Sequence, residues 1–92
     1  MRTVEISADA RRDIQYLRLW LAGQAPGAAK RAAQAIVAAI ASLKTFPERG
    51  RCVRDNLREL VVPFGSAGYV VQYAVHADLV VISRVFHSLE RR

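Results

Sequence analysis

"LRELVVPFGSAGYVVQYAVHADLVVISRVFH" (residues 57–87) decides the fold. It divides into three runs: "LRELVVP" (57–63), "GYVVQYAV" (68–75) and "LVVISRVFH" (79–87). Each is rich in Val, Ile, Leu, Tyr or Phe, the residues that fit a pleated, half-buried surface. The links "FGSA" (64–67) and "HAD" (76–78) are of hairpin length. Strands in series with tight turns make an antiparallel meander. The last run is apolar on both faces until Ser83, which predicts a central strand.

Upstream the period changes. "RTVEIS" (2–7) alternates, with Val4 and Ile6 on one side and Thr3 and Glu5 on the other, so it reads as a short strand with one buried face. Ser7 then supplies an N-cap oxygen, and Asp9 and Asp13 lie near the positive end of a helix dipole. The first helix is expected over 8–22, with Ala10, Ile14, Leu17 and Leu21 as its apolar stripe. Gly23 is a candidate C-cap, and Pro26 suits the first turn of the next helix. The second helix is expected over 26–45. Its stripe is Ala29, Ala32, Ala33, Ile36, Ile40 and Leu43, small enough at the start for close approach to the first helix. The very short link makes the two an antiparallel hairpin. Pro47 in "FPERG" (46–50) stops the second helix, and Gly50 permits a turn.

The expected order is therefore β-α-α-β-β-β, an α+β domain with the helical hairpin packed on a small antiparallel sheet. The first strand pairs by returning beside the meander, and the sheet's other face is left at least partly open. Residues 1–92 form a single domain, a length that suits one modest core. With 52% apolar and 24% charged residues, a disordered chain is excluded. The net charge of +6 points to an anionic partner, either nucleic acid or an acidic protein segment. Cys52 is the lone cysteine, and with two distant histidines it makes no recognisable zinc site. No apolar stretch approaches the roughly 20 residues that span a bilayer, and no signal pattern opens the chain. The expectation is a cytoplasmic protein with no cofactor, no metal and no membrane partner.

This order contains "FPERGRCVRDNLRELVV" (46–62), "GYVVQY" (68–73) and "VVISRVFH" (80–87). It resembles the RelE/ParE toxin superfamily of type II toxin–antitoxin systems over nearly the whole chain. The carrying features are an alanine-rich helix ending in Phe46-Pro47 with Gly50 following, a strand with "RELVV" (58–62), and the final strand. The resemblance implies a RelE/ParE-like fold and a toxin neutralised by a cognate antitoxin, together a hetero-oligomer. The antitoxin would have a DNA-binding N-terminal part and an acidic C-terminal segment that wraps the toxin. Operator DNA would be reached only through the antitoxin, since nothing in this chain resembles a helix-turn-helix. Within the superfamily the chain looks more like the ParE branch, whose members poison DNA gyrase. The alternative is the RelE branch, ribosome-dependent mRNA endonucleases on the same fold. Fold alone does not choose between them.

RNA cleavage needs a general base, cations aimed at the phosphate and a general acid. The weak catalytic candidates are Arg58, Arg84 and His87, with Glu59, Tyr69 and Tyr73 nearby in the meander. By strict alternation Arg84 and His87 point to opposite faces, and they converge only if the strand ends or bulges between them. Between Leu57 and Ser83 the cationic residue is Arg58, set against the acids Glu59 and Asp78, and lysine is absent after Lys44. Both observations favour the gyrase-directed reading. The ordinary roles are a strand-end histidine for His87 and a structural ion pair with Glu59 or Glu5 for Arg84. For Tyr69 and Tyr73 the ordinary role is sheet packing with wet hydroxyls. The candidate antitoxin- or target-binding residues are Trp20, Arg49, Arg51, Arg54, Tyr73, Arg91 and Arg92. Against that, Trp20 with Tyr16 closes the outer seam of the first helix, and Arg49, Arg51 and Arg54 are solvated loop charges.

Overall fold

A computed structural model describes residues 2–65 and 67–88. The elements in chain order are β1 (Thr3–Ile6), α1 (Ala8–Gln24), α2 (Pro26–Ser42), β2 (Arg51–Arg54), β3 (Leu57–Phe64), β4 (Ala67–Val75) and β5 (Leu79–His87). The sheet order is β1-β5-β4-β3-β2. The β3-β4-β5 meander is antiparallel as expected. β1 returns beside β5, but parallel to it, so the sheet is mixed. The connection permits this direction: the chain leaves β1 through both helices and three further strands before β5, a crossover long enough for parallel pairing.

The helices sit where the apolar spacing put them, with shifted ends. The Ser7 hydroxyl accepts from the Ala10 amide, as a helix cap should. α1 runs on through Gly23 to Gln24, and Ala25 rather than glycine ends it. Ala25 has an extended backbone and serves both helices, as C-cap of α1 and N-cap of α2, with Pro26 opening α2. α2 ends at Ser42, earlier than the apolar pattern implied, because its last turn tightens. The amides of Leu43, Lys44 and Thr45 each bond the carbonyl three residues back.

The region 51–54, expected as loop, is a strand. Arg51 lies opposite Glu59, Cys52 opposite Arg58 and Arg54 opposite Leu57, with a bulge at Val53. All four side chains of β2 are exposed, so backbone pairing forms it without any hydrophobic alternation to announce it. Arg51 and Glu59 reinforce the pairing with a 3.0 Å cross-strand ion pair.

The core lies between the helices and one sheet face. Leu60, Val62, Tyr69, Val71, Tyr73, Val80, Ile82 and Val85 supply the sheet side. Ala10 and Leu17 of α1 and Ala32, Ile36, Ala39, Ile40 and Leu43 of the second helical segment supply the other, with Ile14 and Leu21 partly buried against them. Alternation along β5 is broken once. Gln72 pairs with Arg84 but Tyr73 pairs with Ile82, so Ser83 is an extra residue, and its hydroxyl donates to the Gln72 carbonyl.

Beyond Ile6, β1 has ended and the outer edge of β5 would be bare. α1 covers it with polar groups. Ser7 donates its amide to the Ile82 carbonyl and its hydroxyl to the Ser83 carbonyl. The Asp13 carboxylate accepts from the Val85 amide at 2.9 Å. The same carboxylate takes a bidentate pair from Arg84, at 2.7 and 3.0 Å. One acid thus replaces a missing strand and neutralises a half-buried arginine. Asp13→Ala should destabilise the fold by about 2–3 kcal/mol, because it strands a buried amide and an arginine together. Asp13→Asn should cost about half as much, since its amide oxygen still accepts from Val85. Urea denaturation of both variants measures this order.

Candidate functional site

The three catalytic candidates are set apart from one another. Arg84 pairs across the sheet with Gln72, on the face turned from the helices, and His87 pairs with Tyr69, on the helix face. The bulge that would let them converge lies before Arg84 and not between it and His87, so they point opposite ways. The ion partner of Arg84 is Asp13 of α1, in place of the expected Glu59 or Glu5. Glu59 is engaged by Arg51 and by Gln72, whose side-chain amide donates to it at 3.1 Å. The His87 ring meets Tyr69 edge-on, with centroids 5.6 Å apart and planes at 90°. Arg58 is turned to the loop after α2, where it donates to the carbonyls of Gly50 at 2.7 Å and Glu48 at 3.3 Å.

Both tyrosines are buried, and the Tyr73 hydroxyl is bonded inside the protein, against the expectation of a wet hydroxyl. Tyr73 is fully buried, so its candidacy as a surface contact does not survive. Its hydroxyl donates to the Pro47 carbonyl and accepts from the Gly50 amide, each at 2.8 Å. Burial raises the Tyr73 pKa above the ordinary 10.0, and the Gly50 hydrogen bond and the Arg58 and Arg49 charges only partly offset this. Burial raises Tyr69 as well. Gly50 is required by contact. A Cβ there would lie 2.7 Å from both the Glu59 carbonyl oxygen and the Tyr73 hydroxyl. Asp13 and Gly50 carry this architecture, and the sequence marked neither for that role. Asp13 read as a dipole-complementing acid and Gly50 as a turn glycine.

Tyr73 and Arg58 together clamp the segment 47–50 against the sheet, and this presents a basic ridge. Phe46 is 64% exposed beside it. Arg49 reaches back to the Ser42 hydroxyl at 2.8 Å, and Arg51 and Arg54 project from β2. The ridge therefore has a defined backbone, where the sequence implied a loop. Trp20 lies elsewhere, on α1, half exposed in company with exposed Tyr16 and Leu19 rather than sealing a seam. Next to it, Arg18 and Lys30 flank a groove of about 530 Å³ between the helices, floored by Ala22, Ala29 and Ala33. Arg91 and Arg92 lie outside the described residues. Among the described residues no cluster of His, Cys, Asp and Glu has the arrangement to hold a metal ion. No described helix is long and apolar enough to cross a membrane.

The geometry is that of a small protein with a basic ridge at the β2 end of the sheet and a cation-flanked groove between the helices. Comparison with known proteins gives it a family. The family described as the ParE toxin of the type II toxin-antitoxin system parDE matches residues 4–92. Toxin RelE3 of Caulobacter vibrioides is 49% identical over 92 residues, covering both chains in full. Toxin RelE1 of the same organism is 40% identical over 90 residues, 98% of this chain and 97% of the relative. A solved chromosomal ParDE system from P. aeruginosa superimposes with a TM-score of 0.80 over 95% of this chain and 96% of the other, at 19% identity. That last likeness is one of fold. The chain belongs to the ParE toxin family and is the toxin of a type II toxin–antitoxin system, as the resemblance implied. Membership implies an antitoxin partner.

The buried tyrosines have a measurable consequence. A phenol whose folded pKa is raised contributes stability that is fully present below its unfolded value and is lost as pH rises through the folded one. Stability should therefore fall at alkaline pH, above about 10. Tyr73→Phe should shrink this fall and cost about 1–3 kcal/mol at neutral pH, because the Gly50 amide loses its acceptor. Chemical denaturation at pH 7 and at successive alkaline values tests both parts.

Proposed function

We propose that this toxin is a binding poison of DNA gyrase and not a ribonuclease. The observation that carries the reading is the division of Arg84 and His87 between opposite sheet faces. An acid–base pair needs both groups within reach of one scissile phosphate. Two further assignments support it. The Arg58 guanidinium is committed to the carbonyls of Glu48 and Gly50, and the Tyr73 hydroxyl to Pro47 and Gly50. Charge instead lies on the ridge of Arg49, Arg51 and Arg54, where it suits recognition of an acidic or nucleic-acid-bound target. We assign target or antitoxin contact to that ridge, to Trp20 in its α1 setting, and to Arg91 and Arg92.

The antitoxin covers these surfaces when it neutralises the toxin. An amphipathic acidic helix in the groove between α1 and α2 would bury apolar side chains on the alanine floor and pair with Arg18 and Lys30 at the rim. The assembly then acts on its own operator in the cytoplasm, with the DNA contacts supplied by the antitoxin.

In a supercoiling assay the purified toxin should inhibit gyrase or trap cleaved DNA. Labelled mRNA on translating ribosomes should remain uncut. Cuts in that mRNA, with gyrase untouched, would establish the nuclease reading instead. His87→Ala should remain toxic on expression without antitoxin, whereas joint reversal of Arg49, Arg51 and Arg54 to Glu should lower toxicity. Loss of toxicity in a folded His87→Ala protein would count directly against a binding poison.

A further inference from the structure

β2 pairs with only the first part of β3, through Leu57, Arg58 and Glu59. Among the described residues no strand pairs with Leu60–Phe64 on that side. Two close approaches fix which backbone groups line this half-edge. The Glu59 carbonyl oxygen is 2.7 Å from the point a Cβ on Gly50 would occupy, so it faces the β2 side. The Val62 carbonyl oxygen is 2.6 Å from the corresponding point on Gly68, so it faces β4. Backbone direction alternates along a strand. Hence the Val61 N–H and C=O and the Pro63 C=O point outward, while Pro63 has no N–H to offer.

A groove of about 210 Å³ adjoins this edge, lined by Ala35, Ala38 and Ala39 of α2, by Val62 and Pro63, and by Arg49. The pattern of one donor, two acceptors, an alanine floor and a cation is that of a site for strand addition, in which backbone bonds give affinity and side-chain pockets give specificity. A second copy of the chain fits poorly. Edge-to-edge pairing would bring together the Arg49, Arg51 and Arg54 ridges of two chains that each carry a net +6. An acidic segment meets the same ridge with opposite charge.

We propose that the Leu60–Phe64 half-edge of β3 takes an extended segment of the antitoxin, about four to six residues long. Its small apolar side chains lie on Ala35, Ala38 and Ala39, and a carboxylate pairs with Arg49. This rests on the reading of the chain as a toxin neutralised by an acidic partner. It adds a place, a backbone conformation and a chemistry to that partner.

The test uses the full-length toxin and the protein encoded by the reading frame beside it. Val61→Pro deletes the outward donor. Pro63, which has the same backbone direction, shows that the edge tolerates proline. Ala38→Glu sets a negative charge on the exposed groove floor and leaves every backbone bond in place. Each variant should keep the circular dichroism of the parent and bind about tenfold more weakly or worse by calorimetry. The Val61 amide should exchange quickly in the free toxin and slowly in the complex. Parental affinity in both variants, or equal Val61 exchange in the two states, overturns the proposal. So does a free toxin that sediments as a dimer with Val61 already protected, because a second copy would then hold the edge. If the parent toxin fails to bind the neighbouring protein at all, the neutralisation reading falls first, a result distinct from a loss confined to the variants.

Discussion

The Asp13 carboxylate closes the place where the sheet would otherwise fail. β1 is four residues long and covers only the first part of β5. The rest of that edge presents backbone groups that would go unpaired against a helix. Asp13 accepts from the Val85 amide at Oδ2 and pairs with Arg84 through both oxygens. It thereby docks α1 to β5 along the half-edge and fixes the Arg84 guanidinium there. The Ser83 bulge lies just before this point, and the register it sets leaves Val85 facing the core and His87 facing Tyr69. The separation of Arg84 from His87, on which the functional reading turns, follows from regular alternation beyond that bulge.

A second clamp shapes the opposite side of the molecule. Tyr73 is buried in β4, and its hydroxyl joins Pro47 to Gly50. Arg58 reaches the same segment from β3. Two side chains that looked like chemistry in the sequence are used to hold a backbone turn. The cations that project beyond the turn gain a fixed setting, and a preorganised charged surface loses less entropy on binding than a loose one.

Much of the fold was legible because it rests on period. The alternation of Val4 and Ile6, the stripe through Ala10, Ile14 and Leu17, and the doubly apolar run from Leu79 each name an element through which side bears hydrophobic atoms. β2 escaped for the converse reason. Its residues are all exposed, so the strand is made by backbone pairing to Leu57–Glu59 and by one ion pair, and neither leaves a periodic trace. The reading of the candidate site divides the same way. That Arg84 and His87 face apart followed from strand parity. That Arg84 belongs to Asp13, 71 residues away in sequence, could not follow from any local rule.

By itself the sequence determined the order of the elements apart from β2, the family and the surplus of positive charge, because these depend on local spacing, composition and motif order. Only the tertiary structure decided that Tyr73 is an internal strut, that Arg51 and Arg54 stand on a strand, and that half of β3 has no strand partner on its outer side among the described residues. Each of those facts is set by which chain segment arrives beside another. Segments distant in sequence meet through the packing of one shared core, and no window of the chain contains that information.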